Sequence, residues 1–150
     1  MSNSQSILET ARARAAQMGL PYSGALPSRE AFELWKTLQG AQLVDVRTRA
    51  EWDWVGRIPA AVEIEWAGYP GNQPNPGFMQ QLQQQVAADA PVLFICRSGG
   101  RSHHAAMLAT QAGYTNCYNV LEGFEGDRDP QGHRNTVGGW RAAGLPWVQG

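Results

Sequence analysis

The feature that most constrains this chain is a short apolar run, Pro91-Val92-Leu93-Phe94-Ile95, that passes without a spacer into Cys96-Arg97-Ser98-Gly99-Gly100-Arg101-Ser102. A segment that is apolar at every position has no face to turn toward water. It reads as a strand buried on both sides, which is the condition of strands in a parallel sheet sandwiched between helices. A helical pattern follows, with Ala105, Leu108, Ala109 and Ala112 inward and Gly113 as its stop. Cys117 to Leu121 then reads as another strand. Strand, helix, strand in this order predicts an α/β fold of three layers, a mostly parallel sheet with helices on both faces.

The rest of the chain fits that frame. Ser4 to Met18 reads as a helix, with Ile7, Leu8, Ala11, Ala15 and Met18 on its inner stripe and Gly19 and Pro21 behind it. Ser28 is positioned to cap a second helix, Arg29 to Leu38, which carries Phe32, Trp35 and Leu38 on one side and stops at Gly40. Leu43 to Val46 and Ala61 to Trp66 read as strands, Gly68 to Gly77 as a proline- and glycine-rich loop, and Phe78 to Ala88 as a glutamine-rich helix. Phe124 to Gly139 is long and polar for a connection in a compact domain.

The chemistry gathers at Cys96. It stands where a buried strand gives way to a helix, and ligands of parallel α/β sheets bind outside such carboxyl ends. The helix start supplies unsatisfied N–H groups and the positive end of the dipole. Gly99 and Gly100 let the loop curl so that successive N–H groups converge on one anion. Arg97 and Arg101 add two permanent positive charges. Each of these favours thiolate over thiol, and the thiolate is the nucleophile. An inert buried cysteine would not account for two glycines and two arginines within the next five residues.

These residues resemble the active-site loop of rhodanese domains, and other segments agree in order. Leu43 to Arg47 (L-V-D-V-R) is similar to the family's D-x-R strand, and Glu51-Trp52 to its acidic-aromatic pair. Gly56 to Ala61 (G-R-I-P-A-A) is similar to its G-H-I-P-G-A segment. Val120 to Gly123 and Trp140 to Pro146 resemble its closing glycine turn and W-x-x-A-G-L-P ending. The resemblance implies a five-stranded parallel sheet with helices on both faces. It implies a thiosulfate sulfurtransferase with Cys96 as the persulfide-forming nucleophile. Arg97, Ser98, Gly99, Gly100, Arg101 and Ser102 would cradle the transferred sulfur, and Asp45 and Arg47 would support the loop. Partners would be a small anionic sulfur donor and a thiol or cyanide acceptor, or a sulfur-accepting protein. The chain departs from the family at Arg57 (usually histidine), at Ala60 (usually glycine), and in the insertion at about 125–139. Residues 1–27 are expected to form a helix and linker beside the core, and 28–150 the domain proper.

Other readings are weighed against this one. A phosphatase or arsenate reductase on the same fold would carry a loop one residue longer than Cys96 to Arg101, and a sulfur relay or binding module would keep the cradle but need a partner. His103 and His104 read as solvated helix residues. Cys117 reads as a small buried hydrophobe rather than a resolving thiol. Trp35, Trp52 and Trp66 read as packing. The charged insertion, with Asp127, Arg128, Asp129, His133 and Arg134, reads either as a self-paired surface loop or as a lid. With a net charge of −1 there is no broad attraction to nucleic acid or anionic membrane. No metal-ligand spacing or cofactor motif stands out. The first nineteen residues lack the apolar core of a signal peptide, so a cytoplasmic protein is expected.

Overall fold

A computed structural model describes residues 3–149. In chain order the elements are α1 (Asn3–Met18), β1 (Gly24–Leu26), α2 (Ser28–Thr37), β2 (Gln42–Asp45), α3 (Arg49–Trp54), β3 (Val62–Glu63), α4 (Phe78–Gln85), β4 (Val92–Ile95), α5 (Gly100–Gln111) and β5 (Cys117–Val120). The strands form one five-stranded sheet in the order β1-β5-β4-β2-β3. Every pairing is parallel. The α/β architecture expected from the sequence is therefore present, with β4 at the centre.

Alternation along the strands divides the core into two layers. Val44, Phe94, Cys96 and Cys117 face one side, where Leu82 of α4 and Ala105 and Ala109 of α5 cover them. Leu43, Leu93, Ile95, Tyr118 and Val120 face the other, against Leu8 and Ala11 of α1, Leu34 of α2 and Trp140. Removing each of the valines, leucines, isoleucines and phenylalanines among them from water is worth roughly 1.5–3 kcal/mol. This explains why β4 is apolar at all four positions and buried at all four.

Several local expectations are corrected. Residues 24–26 form β1, an edge strand on β5 that packs beneath α1. Ser28 does not cap α2. Pro27 occupies the N-cap, and the Ser28 hydroxyl is buried without a partner. Its N–H is instead satisfied by Glu122 Oε1 at 2.8 Å, a carboxylate suited to the positive helix end. Met18 is exposed rather than on the buried stripe of α1. Of the segment 61–66, only Val62–Glu63 joins the ladder. A helix not expected from periodicity, α3, is started by a capping box. Thr48 Oγ1 accepts the Glu51 N–H, and the Glu51 carboxylate accepts the Thr48 N–H. Ala60 has φ 72°, a left-handed conformation in which glycine is the unstrained residue.

Candidate active site

Between β4 and α5 the chain turns around the sulfur of Cys96, which is 1% exposed. Gly99 adopts φ 103° and donates its N–H to Cys96 Sγ at 3.2 Å. A side chain at Gly99 would run into the Leu121 carbonyl, so glycine is required there on two counts. The turn is held from the far side by Gly123, where a Cβ would meet the Arg97 carbonyl at 2.5 Å. Ser102, in the first turn of α5, brings its Oγ to 3.2 Å from Sγ.

Asn119 of β5 closes this arrangement into a ring. Its Nδ2 donates to the Gly99 carbonyl at 3.2 Å, and its Oδ1 accepts the Ser102 hydroxyl at 2.6 Å. The Gly99 carbonyl can only accept, which fixes the orientation of the amide. Ser102 has a single proton, and that proton goes to Asn119. Its oxygen is then left to accept from the Cys96 thiol. Once the sulfur is anionic, the same hydroxyl can rotate and donate to it. The two groups touching Sγ are thus both held by Asn119, a residue the sequence reading did not single out. The signal was one polar residue in the strand Cys117-Tyr118-Asn119-Val120, in register with Phe94, two residues before Cys96. The polar chain continues outward. Burial pushes the Tyr22 hydroxyl up, and its hydrogen bond with Asn119 partly offsets this. Tyr22 also lies 2.7 Å from His103 Nδ1. His103 is therefore not the solvated residue expected, whereas His104 is exposed.

The two arginines of the loop have different surroundings. Arg101 binds Glu51 through two hydrogen bonds of 2.7 and 3.0 Å. Burial alone would raise the Glu51 carboxyl. The Arg101 hydrogen bonds and charge, the Thr48 N–H and the Arg47 charge outweigh it and hold the group below its usual range. Arg97 is exposed and has no ion pair or side-chain hydrogen bond among the described residues. Neither guanidinium makes a hydrogen bond to Sγ. Ser98 and Gly100 contribute backbone shape rather than a side-chain contact with the sulfur.

Below the loop, Asp45 and Arg47 are both fully buried and joined at 2.7 Å. Arg47 also donates to the Gly56 carbonyl at 2.9 Å and lies over the Phe124 ring, 4.0 Å from its centroid. Phe124 in turn donates its N–H to the Cys96 carbonyl at 2.7 Å. The pair therefore reaches the cysteine through Phe124 and does not touch its sulfur.

Cys117 is remote from all of this. It pairs in register with Val92, four residues before Cys96. At about 3.3 Å per residue that puts the two cysteines roughly 13 Å apart along the sheet, too far for a disulfide. Burial pushes its thiol up to about 11, offset only in part by a hydrogen bond with Thr110. It packs in the apolar layer, as a small hydrophobe would.

The insertion is rooted at the loop, since Glu125 and Gly126 both donate N–H groups to the Arg97 carbonyl. Its tip is organised by Asp129, which accepts the N–H groups of Gln131 and His133 and the Thr136 hydroxyl. Thr136 to Gly139 border a hollow of about 450 Å³ against the start of α2. The cleft above Arg97 is a different one. It lies between α3 and the loop 68–77, with a volume of about 460 Å³ that continues into a space of about 660 Å³ beside Arg101. No residue of the insertion lines it.

Comparison with known proteins agrees with the fold. The sequence profile of the rhodanese-like domain matches residues 30–129. An uncharacterized protein of Rickettsia conorii is 36% identical over 126 residues, covering 80% of this chain and 93% of that protein. The crystal structure of Rv0390 from M. tuberculosis superposes with a TM-score of 0.79 at 44% identity, covering 86% of this chain and 99% of the other. More distantly, thiosulfate sulfurtransferase 16, chloroplastic, of Arabidopsis thaliana is 29% identical over 89 residues, which is 58% of this chain and 73% of that protein. The chain belongs to the rhodanese-like domain family.

Proposed function

We propose that this protein is a sulfurtransferase that carries sulfane sulfur as a persulfide on Cys96. The observation that carries the reading is the sulfur itself, held at the carboxyl end of β4 with the Gly99 N–H and the Ser102 hydroxyl both at 3.2 Å. These groups stabilise an anionic sulfur without a separate base. In the first half-reaction the Cys96 thiolate attacks the outer sulfur of thiosulfate. The S–S bond of the donor breaks, sulfite leaves with the electron pair, and Cys96 becomes a persulfide. In the second, cyanide or a thiolate attacks the outer sulfur, and the Cys96 thiolate is released. Arg97, unpaired at the cleft, draws in the anionic donor. Arg101, fixed by Glu51, shapes the wall of the cradle and offsets negative charge on the sulfur.

A phosphatase fits less well, because its loop would be one residue longer than the stretch from Cys96 to Arg101, and two of the five N–H groups of Arg101 are already bound to Glu51. The test is intact-protein mass spectrometry after incubation with thiosulfate. The wild type should gain one sulfur atom and lose it on adding cyanide, and Cys96→Ser should gain none. No mass gain, together with turnover of an aryl phosphate, would overturn the reading.

A further inference from the structure

Among the phenylalanine, tyrosine and tryptophan residues described, only Trp54 and Tyr69 are exposed, at 79% and 73%. Both line the cleft of about 460 Å³ over Arg97, together with Ala50 and Val55. Large apolar rings left in water are informative when they converge on one concavity, and these two share theirs with Arg97, the residue that follows Cys96. The cleft size falls in the range of ~300–1,000 Å³ that holds organic ligands, and thiosulfate would fill only a small part of it. Arg97, which has no ion pair among the described residues, lines the same cleft. The cleft therefore offers an anion contact and an aromatic-apolar wall side by side.

We infer that Trp54 and Tyr69 form a specificity subsite for organic sulfur donors, namely anionic compounds whose sulfane sulfur is attached to an aromatic or apolar body. This rests on the sulfurtransferase reading and names the class of donor it serves. The donor's charge meets Arg97, its body lies against the two rings, and its outer sulfur is delivered to Cys96. With an arylthiosulfonate the chemistry balances as it does with thiosulfate. The Cys96 thiolate takes the outer sulfur, the S–S bond breaks, and an arylsulfinate leaves with the electron pair.

Benzenethiosulfonate is a direct probe, because it differs from thiosulfate in carrying a phenyl ring in place of one oxygen. Both donors are assayed with cyanide as acceptor, and the readout is the ratio of their kcat/KM values. In the wild type the ratio should favour benzenethiosulfonate by about tenfold or more, the gain expected of ring-on-ring contacts in a partly dry cleft. Trp54→Ala and Tyr69→Ala should each lower the ratio several-fold, and the double variant should bring it close to one. Trp54→Phe, which keeps a ring, should retain most of the preference. A wild-type ratio near or below one, or a ratio that the double variant leaves intact, would overturn the inference. Transfer from both donors with an unaltered ratio would sink only this subsite. Transfer from neither, with no sulfur gained on Cys96, would sink the sulfurtransferase reading as well.

Discussion

Cys96 and Cys117 are both free, buried thiols on adjacent strands of one sheet, yet their surroundings are opposite. Cys96 lies just past the carboxyl end of β4, where a helix begins and the Gly99 N–H and the Ser102 hydroxyl meet its sulfur. Cys117 opens β5 at the other end, among Val86, Val92, Ala109 and Tyr114, with its thiol pushed up to about 11 by burial. Burial alone therefore does not decide whether a cysteine is reactive. What decides it is the end of the parallel sheet on which it stands, because the carboxyl ends of the strands meet helix N-termini, whose N–H groups and dipole favour an anion, and the amino ends do not. The supports differ in kind too. The Cys96 end rests on buried polar pairs, Asp45 with Arg47 and Ser102 with Asn119, whereas the Cys117 end rests on shape and hydrophobic area.

The largest expected effect tests this asymmetry directly. Cys96→Ser should lose sulfur transfer by about a thousandfold or more, the scale seen when a nucleophile is removed. Cys117→Ala should stay within about twofold of the wild type. Cyanide-coupled kinetics on both variants decides the matter. A large loss in Cys117→Ala with an intact fold would break the comparison.

The second concerns the supports. Removing the Asp45 carboxylate leaves Arg47 charged and buried with no counter-ion, which should cost about 3–5 kcal/mol in denaturant unfolding. Replacing both partners together, Asp45→Ala with Arg47→Met, should cost less than the single change, since no orphan charge remains. An equal or larger loss in the double variant would mean that the pair matters for its shape and not for charge balance.

The Cys96 end was far more legible in the sequence than its supports. The run Pro91 to Ile95 followed by Cys96 and paired glycines declares a buried strand, a turn and a helix start within a dozen residues, all from local chemistry. The supports are contacts between distant positions. Glu51 and Arg101 are fifty residues apart, and nothing in their spacing joins them. Ser28 had the right residue type for a cap, but Glu122, brought in at the end of β5, took the helix start instead. β1 is three residues long and has no period to read; it is a strand because β5 has a free edge there. The helix α3 was readable in principle from Thr48 and Glu51, the capping-box pair, although six residues are too few to show an apolar stripe.

A third expectation follows from the raised Cys117 thiol. An acid whose ionisation is pushed up by folding keeps its proton longer in the native state than in the unfolded chain. Stability from this group is therefore full below the ordinary thiol value of 9.0 and is lost as pH rises toward about 11. The loss should be on the order of 2–3 kcal/mol across that window, at about 1.4 kcal/mol per unit. Tyr22, Tyr114 and Tyr118 are also pushed up by burial and add their own alkaline loss. The informative quantity is therefore the difference between the wild type and Cys117→Ala, which should narrow from pH 8.5 to 11. Parallel stability curves would mean that Cys117 is not held neutral by its surroundings.

The smallest effect is expected at Asn119, two residues along β5 from Cys117 and a world away in role. Asn119 holds Gly99 and Ser102, and those two groups hold the sulfur. Asn119→Ala should leave both without their partner, at about 1–3 kcal/mol for a buried polar group left unpaired. Because the donor contacts at Arg97 are untouched, kcat for transfer should fall about tenfold while the thiosulfate KM changes little. Asn119→Asp separates the two contacts. A carboxylate still accepts the Ser102 proton but cannot donate to the Gly99 carbonyl, and it sets two acceptors against each other there. If the Gly99 contact is what aims the N–H at the sulfur, the Asp variant should be as slow as the Ala variant despite its intact bond to Ser102. If the Asp variant recovers most of the wild-type kcat, the hydroxyl is the important group, and the loop glycine needs no help from β5. A purely KM effect in both variants would remove Asn119 from the cradle altogether, and with it the idea that one strand carries an inert thiol at its start and the scaffold of a reactive one near its end.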